Sequence, residues 1–139
     1  MVITKTISLR SKGNTDIIDI TGKVSACLGE SGLSDGIVTL FVPGSTGALS
    51  TVEFEPGAVR DLKEAYQNLA PVDGDYAHNT KWGDGNGFSH VRAALTGPSL
   101  SVPFAAGRLM LGTWQQVIFM DFDNRPRSRE IIAQFMGEK

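Results

Sequence analysis

The C-terminal third of the chain constrains the fold most. SLSVPF (99–104) alternates apolar and polar residues, and RLMLG (108–112) and TWQQVIFMDF (113–122) follow it across only the AAG turn and a glycine break. A parallel crossover takes a dozen or more residues, usually a helix. Links this short make the neighbouring strands antiparallel. After the DNRP turn (123–126), REIIAQFM (129–136) reads as a strand or a helix, and its local pattern does not choose.

The rest of the chain supplies partners. Residues 2–9, VITKTISL, alternate and are rich in β-branched side chains, so they form a strand. Asn14 or Thr15 caps a helix expected to run to about Leu28, with Ile17, Ile20, Val24 and Leu28 on its buried face. IVTLFV (37–42) and ALSTVEF (48–54) are strands on either side of a Pro43-Gly44 interruption. Glu55-Pro56 opens a helix with Val59, Leu62, Tyr66 and Leu69 as its apolar stripe. HVRAAL (90–95) forms a short helix ended by Gly97-Pro98. About seven strands and two or three helices result. The expected fold is α+β: an antiparallel two-layer β-sandwich with flanking helices, one domain over residues 1–139. A chain of 139 residues is long enough to bury a real core.

Charge and composition exclude some functions. A formal net charge of −2 and a pI near 5.6 speak against a nucleic-acid binder, which needs a basic surplus. The N-terminus has no apolar signal region, and no apolar run approaches a membrane span. A soluble cytoplasmic protein is the default expectation. The single cysteine, Cys27, rules out an internal disulfide and is expected in the core.

Both histidines, His78 and His90, flank the glycine-rich loop GDGNG, and both tryptophans, Trp82 and Trp114, lie in the same stretch. With Asp84 they form a mixed imidazole–carboxylate set that suits a divalent metal, zinc or magnesium. Their spacing matches no metal-binding motif, and the same residues also read as ordinary loop and cap residues. Glu53, at the end of a strand, is a candidate general base or metal ligand. Asn86 precedes a helix start that suits an anion. Arg108, Arg125, Arg127 and Arg129 form a second constellation, since the planar guanidinium grips phosphate or carboxylate at two points. An extended chain would put Arg125, Arg127 and Arg129 on one face, and a solvated basic edge is the plain alternative. Ser45 and Thr46 are hydroxyl donors on a glycine-flanked turn. The Trp114 indole is expected in the core, and Gln115 is placed to reach a ligand. No nucleophile elbow occurs, so serine-hydrolase chemistry is not expected.

SHVRAALTGPSLSVPFAAGRLMLGTWQQVIF, followed by RPRSREIIAQFMGE, resembles the YjbQ-like family, also labelled secondary thiamine-phosphate synthase. The resemblance covers nearly the whole chain. It implies a β-sandwich with flanking helices, a homotrimer, and a histidine-rich pocket that holds metal in some relatives. It further implies condensation of a pyrimidine diphosphate with a thiazole phosphate, releasing pyrophosphate. Glu53, His78, His90, Arg108, Trp114, Gln115 and Arg129 match family positions. Many members carry His-Thr-Ser where this chain has Gly44-Ser45-Thr46, so one histidine of the family set is missing. The expected catalytic residues are Glu53, His78 and His90. The expected ligand contacts are Ser45, Thr46, Asn86, Arg108, Gln115, Arg127 and Arg129, and the expected metal ligands are His78, His90 and Asp84. An enzyme acting on a phosphorylated small molecule is the first reading. A non-catalytic module that binds such a molecule is the second.

Overall fold

The computed structural model describes residues 1–139. In chain order the elements are β1 (Val2–Ser11), β2 (Asp16–Asp19), α1 (Thr21–Ser31), β3 (Asp35–Phe41), β4 (Gly47–Val52), α2 (Pro56–Leu69), α3 (Ala77–Trp82), α4 (Gly87–Thr96), β5 (Ser99–Ala105), β6 (Arg108–Leu109), β7 (Gln116–Asp121) and β8 (Arg127–Glu138). They build two sheets, one ordered β1-β8-β3-β5-β6 and one ordered β2-β7-β4. Every strand pair is antiparallel. The protein is thus α+β, with antiparallel sheets facing each other and helices outside.

The main core lies between the sheets. Val38, Leu40, Ile131, Ala133 and Phe135 face Leu49, Val117 and Phe119, and α1 adds Val24 and Leu28. A second core lies behind the three-stranded sheet, where Ile17, Ala48, Ile118 and Met120 meet Tyr66 of α2 and Ala93 of α4. Strand β7 is therefore buried on both faces, which explains why VIFM is a continuous apolar run without alternation. The outer face of the five-stranded sheet carries no helix, and its strands alternate buried and open residues.

Three segments depart from expectation. The helix expected from Asn14 begins only at Thr21, and Asp16–Asp19 is strand β2, paired with β7. Asn14 and Thr15 have φ of 54° and 62°, so they make a turn and do not cap a helix. Pairing with a buried central strand outweighs the helical spacing of Ile17 and Ile20. Helix α3 was not expected; six residues carry too short a pattern to register. The segment RLMLG pairs only through Arg108–Leu109, and Trp114 lies in the following turn, 72% exposed. Its indole is not in the core. Four helices result, against two or three expected, and eight strands against about seven. The undecided 129–136 segment is strand β8. Cys27 is half-buried against the main core, and burial pushes its thiol pKa up. No helix is long and apolar enough to cross a membrane.

Candidate functional site

The site forms where the ends of three elements meet. The β7–β8 turn brings the end of one sheet beside the start of the other, and the β3–β4 link and the α3–α4 pair close over it. Antiparallel pairing sets Gly47 opposite Asp121, so the Gly44-Ser45-Thr46 turn arrives at the carboxylate end of β7.

Its floor is a buried ion network. Asp121 is 0% exposed and Arg129 is 8% exposed. The Arg129 guanidinium donates to Asp121 through Nε at 2.8 Å and through Nη2 at 2.8 Å, and Nη2 also donates to Thr46 Oγ1 at 2.7 Å. Two-point pairing of this kind is the strong form of the interaction. The bond to Asp121 holds the Arg129 pKa up despite burial. Ser11 Oγ donates to the same carboxylate at 2.7 Å.

Next to this pair, Arg127 Nη1 donates to Asp123 Oδ2 at 2.5 Å, and the Asn124 backbone N–H donates to Oδ1 at 2.8 Å. Burial works to raise the Asp123 pKa. The Asn124 N–H and the charges of Arg127 and Arg129 outweigh it and hold the carboxyl below its ordinary 3.8. A depressed carboxyl stabilises the fold above its ordinary pKa, and that contribution is lost as pH falls through the folded value. Asp123→Asn should therefore cost stability at neutral pH, and the gap to wild type should narrow below about pH 4. Urea unfolding across the acid range checks this; a gap independent of pH would contradict it.

The histidines stand on the opposite wall. His78 of α3 and His90 of α4 have ring centroids 4.4 Å apart, tilted by 44°. Asp84 Oδ1 lies 3.4 Å from His78 Nδ1. Gly83, with φ of 71°, ends α3 in the left-handed conformation and swings Asp84 back toward the helix. The loop is tied down at both ends: Asn124 Nδ2 donates to the Asp84 carbonyl at 2.9 Å, and Gly87 N–H donates to Asn79 Oδ1 at 2.9 Å. Asn86 lies between the two carboxylates. Its amide NH2 reaches Asp123 Oδ1 at 3.3 Å or, with the amide turned over, both Asp84 oxygens at 3.0 and 3.2 Å. The turned orientation is the better one, because Asp123 already has Arg127 and the Asn124 N–H.

Together these walls enclose an open pocket of about 510 Å³. Ser45, Thr46, His78, Asp84, Asn86, His90, Arg127 and Arg129 all line it, and Trp82 stands at its rim. Glu53, Arg108 and Gln115 do not. Glu53 follows the far end of β4, about 17 Å from the Gly47 end at a strand's rise per residue. Gln115 donates to Thr51 Oγ1 at 3.1 Å at that same far end. Arg108 pairs opposite Ala105 on the sheet edge. Arg125 precedes β8, so the alternation that aligns Arg127 with Arg129 does not reach it. Asp121 and Asp123 were not foreseen as site residues. Their signal was two aspartates closing a wholly apolar strand, DFD, ahead of the alternating arginines.

The Arg129 guanidinium keeps one nitrogen free. Arg129 Nη1 makes no hydrogen bond within the protein, yet it is not a sealed, unsatisfied atom. It faces Gly44, where a side chain would begin 3.5 Å from it.

A family model described as "UPF0047 protein YjbQ-like" matches residues 5–138. The chain belongs to the YjbQ-like UPF0047 family. Among YjbQ-like relatives, a UPF0047 protein of Methanothermobacter thermautotrophicus is 38% identical over 137 residues, spanning 99% of this chain and 94% of the relative. The UPF0047 protein YugU of Bacillus subtilis is 30% identical and covers 96% of this chain and 98% of its own. A solved YjbQ-like structure from Sulfolobus solfataricus superposes with a TM-score of 0.94 at 28% identity, covering 99% of both chains. One from Clostridium acetobutylicum gives 0.86 at 33% identity, with 95% of this chain and 99% of that one.

The metal that the YjbQ-like resemblance implies does not fit the residues present. No group of three or more His, Cys, Asp or Glu side chains is arranged to hold an ion. Gly44 provides no ligand, His78 faces Asp84, and Asp121 and Asp123 are committed to arginines.

Proposed function

We propose that the pocket binds the phosphate group of a small molecule and that the protein is an enzyme acting on it. The free Arg129 Nη1 on the pocket floor supports this most. A guanidinium already held in place by Asp121 and Thr46 presents its remaining nitrogen without further loss of side-chain freedom. The Ser45 hydroxyl, Arg127 and His90 converge on the same space and complete a donor set for an anion. The pocket carboxylates Asp84 and Asp123 are turned toward His78, Asn86 and Arg127, which leaves the donors to meet the ligand.

Proton transfer falls to the histidines, with Asp84 orienting His78 as the acidic member of an imidazole pair does in general acid–base sites. Glu53 is too distant for that role. In the thiamine-phosphate condensation that the resemblance implies, Arg127, Arg129 and the imidazoles would stabilise the departing pyrophosphate. The non-catalytic reading is favoured by one feature: no carboxylate in the pocket is free to act as a base. We also propose a homotrimer. Val2, Met136 and Ile37 adjoin in register on the open sheet face and are 55%, 55% and 40% exposed, which supports self-association.

His78→Asn and His90→Asn test the assignment. Each is expected to lower turnover of the pyrimidine diphosphate and thiazole phosphate at least ~100-fold, the ordinary scale of a lost acid–base group, with pyrophosphate affinity changed only a few-fold. Pyrophosphate binding without turnover in any form of the protein would favour the binding module. Unchanged turnover in both variants would remove the histidines from the mechanism.

A further inference from the structure

The polar pocket does not end at His90. A second cleft, of about 330 Å³, opens beside it and is lined by Gly44, Ser45, Gly47, His90, Ala93, Ala94 and Pro98. The two spaces share Gly44, Ser45 and His90, so they adjoin. Their chemistry differs sharply. The pocket is lined by arginines, aspartates, hydroxyls and imidazoles, with Trp82 as the large apolar side chain at its edge. The cleft walls are mainly glycine backbone, alanine methyls and a proline ring; Ser45 and His90 are their polar members, and no aspartate, glutamate, lysine or arginine lines them.

We propose that this cleft holds a small apolar or ring-shaped organic group of the same ligand, so that the site selects phosphate monoesters over free phosphate. The inference rests on the anion-binding reading above. Ligand sites run from roughly 300 to 1,000 Å³ and are mostly apolar with a few placed polar groups. The cleft alone is at the lower bound, large enough for one ring, and the adjoining pocket supplies the polar groups. His90 stands at the junction. Its imidazole would lie against the bond between the phosphate and the organic group, where proton transfer is useful.

The openness of the cleft has two sources. At Gly47 it is imposed by packing, because a Cβ there would lie 2.9 Å from the Phe119 ring. At Gly44 it is not. The backbone there does not have positive φ, and a Cβ would make only ordinary contacts, 3.5 Å to Arg129 Nη1 and 4.0 Å to Val42. A side chain at 44 is compatible with the fold but would come between Arg129 and the cleft. Gly44 therefore acts as a specificity determinant: its lack of a side chain joins the anion subsite to the apolar one. Ala94 is exposed on the opposite lip, where a larger residue fills the cleft without touching the core.

The test titrates phenyl phosphate and inorganic phosphate into the intact protein. The wild type should bind phenyl phosphate at least ~10-fold tighter, the scale of one ring buried in an apolar cleft. Ala94→Leu and Gly44→Val should each bring that ratio close to one, while phosphate affinity stays within about two-fold in Ala94→Leu. Thermal melting of both variants identifies any that fail to fold, and two positions on opposite lips guard against one failing. Phosphate binding with equal affinity for phenyl phosphate in the wild type overturns the cleft and leaves the anion site standing. A ratio that persists in both folded variants overturns it too. If neither anion binds, the anion-binding reading fails and this inference fails with it.

Discussion

Asp121→Asn should destabilise the protein by about 3–5 kcal/mol, the ordinary cost of leaving one member of a buried ion pair without its partner. Asp121 is fully buried and Arg129 is 8% exposed, so water does not replace the lost charge. The asparagine accepts one bond from Arg129 and presents an NH2 to the other nitrogen, which is a donor facing a donor. Ser11 Oγ, at 2.7 Å from the carboxylate, also loses its charged acceptor. Urea unfolding measures the loss directly. A change under about 1 kcal/mol would mean that the pair is wetter than its burial indicates. The substitution also has a functional consequence. Arg129 is aimed at the pocket because Asp121 grips its other side, so pyrophosphate affinity in the folded variant should fall at least ~10-fold, the weight of one charge-assisted hydrogen bond.

The second large effect is expected at Arg92, outside the pocket. This arginine is 3% exposed and has no carboxylate partner. Its Nε donates to the Ala70 carbonyl at 2.9 Å, Nη1 to Thr15 Oγ1 at 2.7 Å and Nη2 to Gln67 Oε1 at 2.9 Å. Its guanidinium lies over the Phe88 ring, 5.0 Å from the centroid. Burial lowers its pKa from the ordinary arginine value. Three neutral acceptors and an aromatic face replace the counter-ion. The residue ties the end of α2, the turn before β2 and α4 into one unit. Arg92→Leu keeps much of the volume and leaves the three acceptors without a donor, at a cost of about 3–5 kcal/mol for the set. Thermal unfolding should show it as a fall in Tm of more than ten degrees. Arg92→Lys should recover part of it, since an ammonium serves one or two of the three acceptors. Full stability in Arg92→Leu would show that the acceptors find water.

Arg92 also steadies the pocket at a distance. It bonds Thr15, and the neighbouring Asn14 N–H donates to the Asp123 carbonyl at 2.6 Å. Gly13, with φ of 73°, packs where a Cβ would lie 2.3 Å from the Arg125 carbonyl oxygen. That close approach is open only to glycine, and it presses the turn before β2 onto the turn that carries Asp123.

Much of the scaffold was legible because period and breakers agreed. VITKTISL alternates and is β1; Glu55-Pro56 opens α2, with the Glu55 carboxylate accepting from Gly57 N–H at 2.9 Å and from Ala58 N–H. β2 was hidden because Ile17 fits a helical spacing with Ile20 as well as it fits a strand paired to β7, and only the partner strand decides. The site was legible in composition more than in geometry. His78, Asp84, Asn86 and His90 share one short stretch, so nearness in sequence becomes nearness in space. Arg127 and Arg129 reach the same pocket because two residues of extended chain put them on one face. Glu53 and Gln115 look equally suited by residue type. The direction of β4 and β7 carries them to the opposite end of the sheet, and strand direction is not readable from residue identity. Asp121 and Asp123 were obscured because aspartate before Asn-Arg-Pro is ordinary turn chemistry. Their role depends on Arg129 lying across from them, a contact set by the sheets' register.

The most direct measurement is a crystal of this protein soaked in pyrophosphate. The expected result is one bound anion in the pocket, with an oxygen within hydrogen-bond distance of Arg129 Nη1 and others on Ser45 and His90. A neighbouring basic groove, lined by Arg10, Arg125 and Arg127, offers the anion a rival place. Pyrophosphate bound in that groove, with Arg129 Nη1 left in water, would contradict the account.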